Sequence, residues 1–382
     1  MNQSPLSASV IGGGVGGRLS LNALRSSPQF SLIAAADLKP EIRNALERDF
    51  PGLKTFASHE QMLSRYPTDV VCVSTYAPSH ESVVRDVLRL ASLRGILVEK
   101  PLGDTAAAGR RILDATRARG LPMVVPHGLR TRATPLEIIR RISRGEIGEL
   151  RQIEIQCDKW DLLNAGIHWL DFCLAATEEA PIASVLAVCD TSTRTFRDGM
   201  QVETVAVTYV ENRNGVRMIL QTGDFVRVNT FGKDTLLRLV GTRGIIEFWG
   251  WENGYFLLSA EYPGGHVLIP EELPVFGHRR HLENLAIQIQ KEAPDYRLPE
   301  SAQTALEICE AAFLSNKYRC QVHFPLASFV PPAASDWQPG KPYSGIGGGR
   351  DGRKLPIADR GLRNEVQASN KPERRRTGYG SS

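Results

Sequence analysis

Three glycines between a strand and a helix constrain this chain more than any other feature. Ser9 to Ile11 closes an apolar strand. Gly12-Gly13-Gly14-Val15-Gly16-Gly17 follows, with Gly12, Gly14 and Gly17 in G-x-G-x-x-G spacing, and Arg18 to Leu24 continues as a helix. The first glycine permits the tight turn, the second lets the backbone approach a pyrophosphate, and the third packs the helix on the strand. Helix N-terminal amides then face the phosphate charge. A second apolar strand, Phe30 to Ala36, ends at Asp37, twenty residues beyond Gly17. A carboxylate there accepts ribose hydroxyls and repels a 2′-phosphate, which favours NAD(H) over NADP(H). The plain alternative for Asp37 is a helix cap before Pro40 to Arg48.

The βα pattern repeats along the chain. Asp69 to Ser74 reads as a buried strand followed by the loop Thr75 to His80. Gly95 to Val98 is another, followed by Glu99-Lys100-Pro101, and Met123 to Val125 is the last. Apolar runs of this kind suit parallel strands covered on both faces. Ligands of open α/β sheets bind beyond the strands' C-terminal ends, where Thr75, Glu99 and Lys100 fall. The cofactor-binding set expected from this pattern is Gly12, Gly14, Val15, Gly17, Asp37, Thr75, His80, Glu99 and Lys100. His80 either bonds the cofactor or caps its helix. A lysine placed by a strand end suits acid/base work.

These segments resemble the Gfo/Idh/MocA oxidoreductases, the glucose-fructose oxidoreductase and inositol dehydrogenase family. Glu99-Lys100-Pro101 is the most specific element. The resemblance covers roughly Ser9 to Leu326. It implies a Rossmann domain followed by an α+β domain with a large, mostly antiparallel open sheet. It also implies that Lys100 touches both the nicotinamide and the substrate hydroxyl.

Three divisions follow: a dinucleotide-binding domain over 1–125, a substrate-binding and oligomerisation domain over 126–330, and an arm and basic tail over 331–382. Arg130 matches a family arginine that contacts substrate or holds the domain interface. Helical spacing begins after Gly166 and sets His168 and Asp171 on one face. His168 is suited to taking a hydroxyl proton; the bland alternative is a core histidine bonded to Asp171. The family has an aspartate four positions before this histidine. Here that residue is Asn164, which orients a hydroxyl but accepts no proton at neutral pH. Trp160 offers a stacking face for a sugar ring. The expected catalytic pair is therefore Lys100 and His168, with Asn164, Arg130, Trp160 and Asp171 binding substrate. Strands over 182–259 form the large sheet, which in the family carries the subunit interface, so a homo-oligomer (dimer or tetramer) is expected. The basic start of the helix at His278 opposes the helix dipole, which points to a negatively charged substrate group or, more plainly, to a salt bridge with another subunit or the tail.

Charge and cysteines narrow the setting. From Arg350 to Ser382 nine Lys/Arg stand against four Asp/Glu, a surplus larger than the whole chain's net +4. The basic character belongs to the tail, which argues against nucleic acid. No apolar run reaches membrane-spanning length, and Met1 to Ser9 lacks the pattern of a signal peptide. Six cysteines without a C-x-x-C pair read as reduced thiols in the cytoplasm, with no metal site. Trp337 to Lys354 is expected to be an ordered arm that buries Trp337 and Tyr343 and uses Arg350 and Arg353 at another subunit or a cleft. Taken together, the sequence points to an NAD-dependent oxidoreductase acting on a sugar, glycoside, cyclitol or sugar acid. Two further readings stay open: a redox-assisted glycosidase that uses NAD catalytically, and a non-catalytic nucleotide- or sugar-binding regulator.

Overall fold

In the computed structural model, six parallel strands form the first sheet: β1 (Leu6–Ile11), β2 (Phe30–Ala36), β3 (Lys54–Phe56), β4 (Val70–Val73), β5 (Gly95–Val98) and β6 (Met123–Val124). The strand order is β3-β2-β1-β4-β5-β6. It reverses direction between β1 and β4, and the crevice outside their C-terminal ends is where such sheets bind ligands. The connecting helices are α1 (Val15–Ser26), α2 (Pro40–Asp49), α3 (His59–Arg65), α4 (His80–Val87) and α5 (Ala106–Ala118). Alternate residues of the strands feed two cores. Val71, Val73, Ile96 and Val98 pack with Val84, Ile112 and Leu113. Val70, Cys72 and Leu97 pack with Leu21 and Leu24 on the other side. Both faces are apolar because both are covered.

The second sheet is built from β7 (Leu150–Asp158), β8 (Ile182–Asp190), β11 (Val205–Asn212), β12 (Arg217–Gly223), β13 (Thr235–Gly241), β14 (Ile245–Phe248), β15 (Tyr255–Leu258), β16 (His266–Leu268) and β17 (Val322–His323). Its order is β16-β15-β14-β13-β7-β12-β11-β8-β17. Every pairing is antiparallel except β7 with β12. The Asn214-Gly215 turn joins β11 and β12, and Gly215 takes the left-handed conformation at φ 78°. A small ribbon, β9 (Thr195–Arg197) with β10 (Met200–Val202), stands apart from this sheet. Helices α6 (Ala133–Ser143), α7 (Ile167–Ala176) and α9 (Arg297–Tyr318) complete this half. Phe172 of α7 meets Phe248 of β14 edge to face at 4.9 Å. Burying a side chain of that size contributes about 3 kcal/mol. The opposite face of the sheet leaves Leu186, Val188 and Val207 exposed.

Helix α8 (Gly277–Lys291) crosses back to the first sheet. Its Leu282, Leu285 and Ile289 join the core of Leu21, Cys72 and Leu97. A Cβ on Gly95 would lie 2.7 Å from Ile289, so the glycine at the start of β5 is what lets the helix come this close.

Residues 4–190, 195–228 and 232–333 are described. They belong, up to Pro332, to the first of two compact units, Met1–Pro332 and Ala333–Ser382. The expectations for Trp337, Tyr343, Arg350 and Arg353 lie outside the described residues. No helix among the described residues is long and apolar enough to cross a membrane.

Candidate active site

A cleft of about 950 Å³ opens along the C-terminal edge of the first sheet. Its lower rim is the glycine turn. Gly12 has φ 95°, and a Cβ there would collide with the backbone of Ser74. A Cβ on Gly17 would collide with the Gly12 carbonyl, whereas one on Gly14 would meet nothing within 4 Å. Gly14 caps α1 without a side-chain hydrogen bond. The first amides of the helix therefore face open space, as a pyrophosphate cradle requires. Asp37 accepts from the Gly13 amide at 2.7 Å and from the Lys39 amide at 2.9 Å, which fixes the carboxylate at the end of β2. The N-cap of α2 is Lys39, so Asp37 is not the cap. These features fit an NAD molecule lying across the turn.

Beyond β5 the chain places Glu99 and Lys100. Glu99 is buried and bonds His278 Nε2 at 2.6 Å. Burial opposes its ionisation, but the imidazole of His278 outweighs that and holds the carboxyl below its usual range. Lys100 Nζ donates to the Asn164 carbonyl at 3.1 Å. Burial pushes this ammonium down, while Glu99, Asp198 and Asp161 partly restore it. Asn164 sits in a single π-helical turn, Leu162–Gly166, just ahead of α7; such turns recur at functional sites. Its Nδ2 lies between both oxygens of Asp161, at 2.9 and 3.0 Å. Asp161 also takes Arg197 Nη1 at 2.7 Å. The amide nitrogen is thus committed to Asp161, which leaves the amide oxygen to accept a ligand hydroxyl in the cleft that Asn164 lines.

Nine of the ten residues of α7 are buried; the exception is His168, which lines the cleft. Its ring meets His127 and Trp251 edge-on, each at 5.2 Å. Its Nδ1 is buried without a partner. Burial first, and the charge of Lys100 second, hold the imidazole well below its ordinary pKa. The ring is neutral at pH 7 and able to accept a proton.

Asp171 is fully buried and accepts from Arg130 Nε at 2.9 Å and from Ser301 Oγ at 3.0 Å. Arg130 also reaches Glu179 at 2.7 Å. Burial works against Asp171 ionising, but His127 and Arg130 keep its pKa low. A separate depression of about 750 Å³ near Glu179 and Ser301 includes neither the glycine turn nor Lys100.

The sequence of the first domain agrees with this geometry. Residues 6–127 match the family described as "Oxidoreductase family, NAD-binding Rossmann fold". That stretch is the NAD-binding Rossmann domain of the Gfo/Idh/MocA oxidoreductase family. The chain is 30% identical over 165 residues to trans-1,2-dihydrobenzene-1,2-diol dehydrogenase of Bos taurus, a match covering 39% of this chain and 48% of that one. It is 29% identical over 141 residues to D-apiose dehydrogenase of Paraburkholderia graminis, covering 36% of each. The chain thus matches less than half the length of these curated relatives. Levoglucosan dehydrogenase, solved with NADH and levoglucosan, shares the fold with a TM-score of 0.71 at 17% identity, over 84% of this chain and 100% of that one.

Of the residues the sequence singled out, Gly14, Thr75, Glu99, Lys100, Asn164 and His168 line the one cleft, with Val15 beside them. Three expectations need correction. His80 is wholly buried and spans the Thr75 carbonyl at 2.9 Å and the Leu102 carbonyl at 3.3 Å, so it ties two loops together and does not touch a cofactor. Asp171 and Arg130 are bonded to each other and to Ser301, so they hold the interior and do not face a substrate. Trp160 lies outside the cleft lining, with Arg197 over its ring at 4.7 Å. His168 and Asp171 are not bonded, because the carboxylate faces Arg130. Away from the cleft, His59, Glu60 and Asp86 bring ligand-type atoms within 4.8 Å of one another, but His59 and Arg89 already pair with Asp86. Sequence reasoning missed Arg132, Asp198, Met200, Trp251 and Phe276, which also line the cleft. Only Trp249-Gly250-Trp251, two indoles around a glycine, was a visible signal.

Proposed function

We propose that the chain is an NAD(H)-dependent oxidoreductase acting on a hydroxyl of a sugar, glycoside, cyclitol or sugar acid. The observation that carries this reading is the convergence of Lys100, His168 and Asn164 on the cleft that opens at the glycine turn. Nicotinamide, when bound, supplies the carbon that takes or returns hydride. The Lys100 ammonium donates to the reacting oxygen and stabilises its negative charge. Neutral His168 takes the hydroxyl proton. Asn164 accepts from a neighbouring hydroxyl and so selects its orientation. Asp37 supports NAD(H) over NADP(H), because its carboxylate repels a 2′-phosphate. The exposed Leu186, Val188 and Val207 support a homo-oligomer formed through the outer face of the large sheet. The reduced-thiol reading of the cysteines supports a cytoplasmic location.

The test is a panel of sugars, glycosides and cyclitols incubated with NAD or NADP and followed by mass spectrometry and NADH absorbance. The expected result is a ketone product with stoichiometric NADH, and much weaker turnover with NADP. Release of an aglycone without net NADH would replace this reading with the redox-neutral glycosidase. Binding of NAD without any turnover across the panel would favour the regulatory reading.

A further inference from the structure

Arg132 stands at the N-terminus of α6 and lines the cleft. Its Nη1 donates to the Trp251 carbonyl at 3.0 Å. Its guanidinium carbon lies 5.9 Å from the Trp251 ring centre and 5.2 Å from that of Phe276. Among the described residues it pairs with no carboxylate. The other basic side chains of the cleft have partners: Arg279 pairs with Glu283 at 2.7 Å, His278 bonds Glu99 at 2.6 Å, Lys100 donates to the Asn164 carbonyl at 3.1 Å, and Arg25 donates to Asn22 and to the Asp49 carbonyl, each at 3.0 Å. Asp198, a cleft carboxylate with no ion pair among the described residues, acts electrostatically on Lys100, at the reacting end. Charge is therefore polarised along the cleft, with an unneutralised guanidinium beside the indole.

Trp251 is held firmly in place. A Cβ on Gly128 would lie 2.8 Å from its ring, so the indole rests directly on that backbone. Trp169 meets it at 5.3 Å and His168 at 5.2 Å. It is still 39% exposed, which leaves a face open to a ligand. One indole thus separates the proton acceptor from the guanidinium. A ring lying on this indole would put a hydroxyl-bearing carbon at His168 and a substituent on its far side at Arg132. A planar carboxylate suits the guanidinium fork, which offers paired donors to its two oxygens.

We propose that Arg132 and Trp251 form a subsite for the carboxylate of a ring-shaped hydroxy acid, such as a uronic acid or a carboxylated cyclitol. Only the reacting end of this assignment rests on the oxidoreductase reading. The test pairs acids with neutral counterparts: glucuronate with glucose, galacturonate with galactose, and quinate with its methyl ester. Each is offered to the full-length protein with NAD for kcat/KM, and titrated calorimetrically into its NADH complex. The wild type should prefer the acid in at least one pair by about tenfold to a hundredfold. Arg132→Gln should erase that preference, lowering the acid's kcat/KM by at least about tenfold more than that of its neutral partner. Arg132→Lys keeps the charge and serves if the glutamine variant misfolds; it should fall between the two. Equal loss on acid and neutral substrates, a weakened NAD affinity in place of a weakened acid affinity, or no acid preference in turnover or binding would overturn the subsite. Acid binding that depends on Arg132 without any NADH formation would uphold the subsite and sink the oxidoreductase reading.

Discussion

The two walls of the cleft are built from different materials. Along the glycine turn the groups offered to a ligand are main-chain amides, and the shape is set by where side chains cannot be. Along the wall that holds Asn164, His168 and Trp251, the groups offered are side chains, each positioned by another side chain or carbonyl. A main-chain wall depends on the backbone path alone, so most substitutions leave it intact and a few destroy it. A side-chain wall degrades in steps, because each group can lose its support separately.

The sharpest way to break this contrast is at the turn itself. Gly17→Ala forces a Cβ into the Gly12 carbonyl, at a cost of about 3 kcal/mol or more. The expected outcome is a large fall in Tm and loss of NAD binding by calorimetry. Gly14→Ala, whose Cβ meets only open space, should fold normally and lose cofactor affinity alone. Equal behaviour of the two variants would mean that the turn is not shaped by exclusion.

Lys100→Met comes next. It removes a charged donor to the reacting oxygen, and about 3 kcal/mol of transition-state stabilisation goes with it. That is a fall of about a hundredfold in kcat, with a far smaller change in NAD affinity. Wild-type turnover would remove Lys100 from the chemistry.

A smaller effect is expected one layer back. Asp161→Ala frees the Asn164 amide and leaves Arg197 without its carboxylate. Loss of such support typically costs about tenfold to a hundredfold in function, and here it should fall on kcat/KM for the polyol while NAD binding holds. The smallest signal is in pH. His168 has its pKa pushed well below the ordinary 6.5. Its neutral, proton-accepting form therefore persists as pH falls past 6.5, and the acid limb of kcat/KM should lie below that value. An acid limb at 6.5 or above would assign the proton transfer to another group.

The same difference decides what could be read from the sequence. The glycine turn, Asp37, Thr75 and Glu99-Lys100 sit at strand ends within short contiguous stretches, so strand pattern alone places them at one edge. The facing wall draws on Arg132, Asp198, Trp251 and Phe276, separated by scores of residues and lying in turns without periodicity. Helix α7 shows the limit clearly. Its i, i+3 spacing sets His168 and Asp171 on one face, yet His168 lines the cleft while Asp171 faces Arg130 and Ser301. A helix apolar nearly all round has no polar stripe to say which of the two meets solvent. For Arg130 the sequence leaves substrate contact and a structural role both open, because the partners that decide between them, Asp171 and Ser301, lie 41 and 171 positions away.

Helix α8 carries a consequence for how such a protein is inherited and divided. The match to the nucleotide-binding family ends at residue 127, yet Leu282, Leu285 and Ile289 supply part of that region's own interior. A gene fragment cut at residue 127 would encode the strands and glycine turn but leave bare the greasy strip those leucines cover. The unit that recombination can move in one piece is therefore longer than the unit that carries the recognisable motif. An isolated fragment of residues 1–127 should be sticky in solution, and adding back a peptide of residues 277–291 should quiet it.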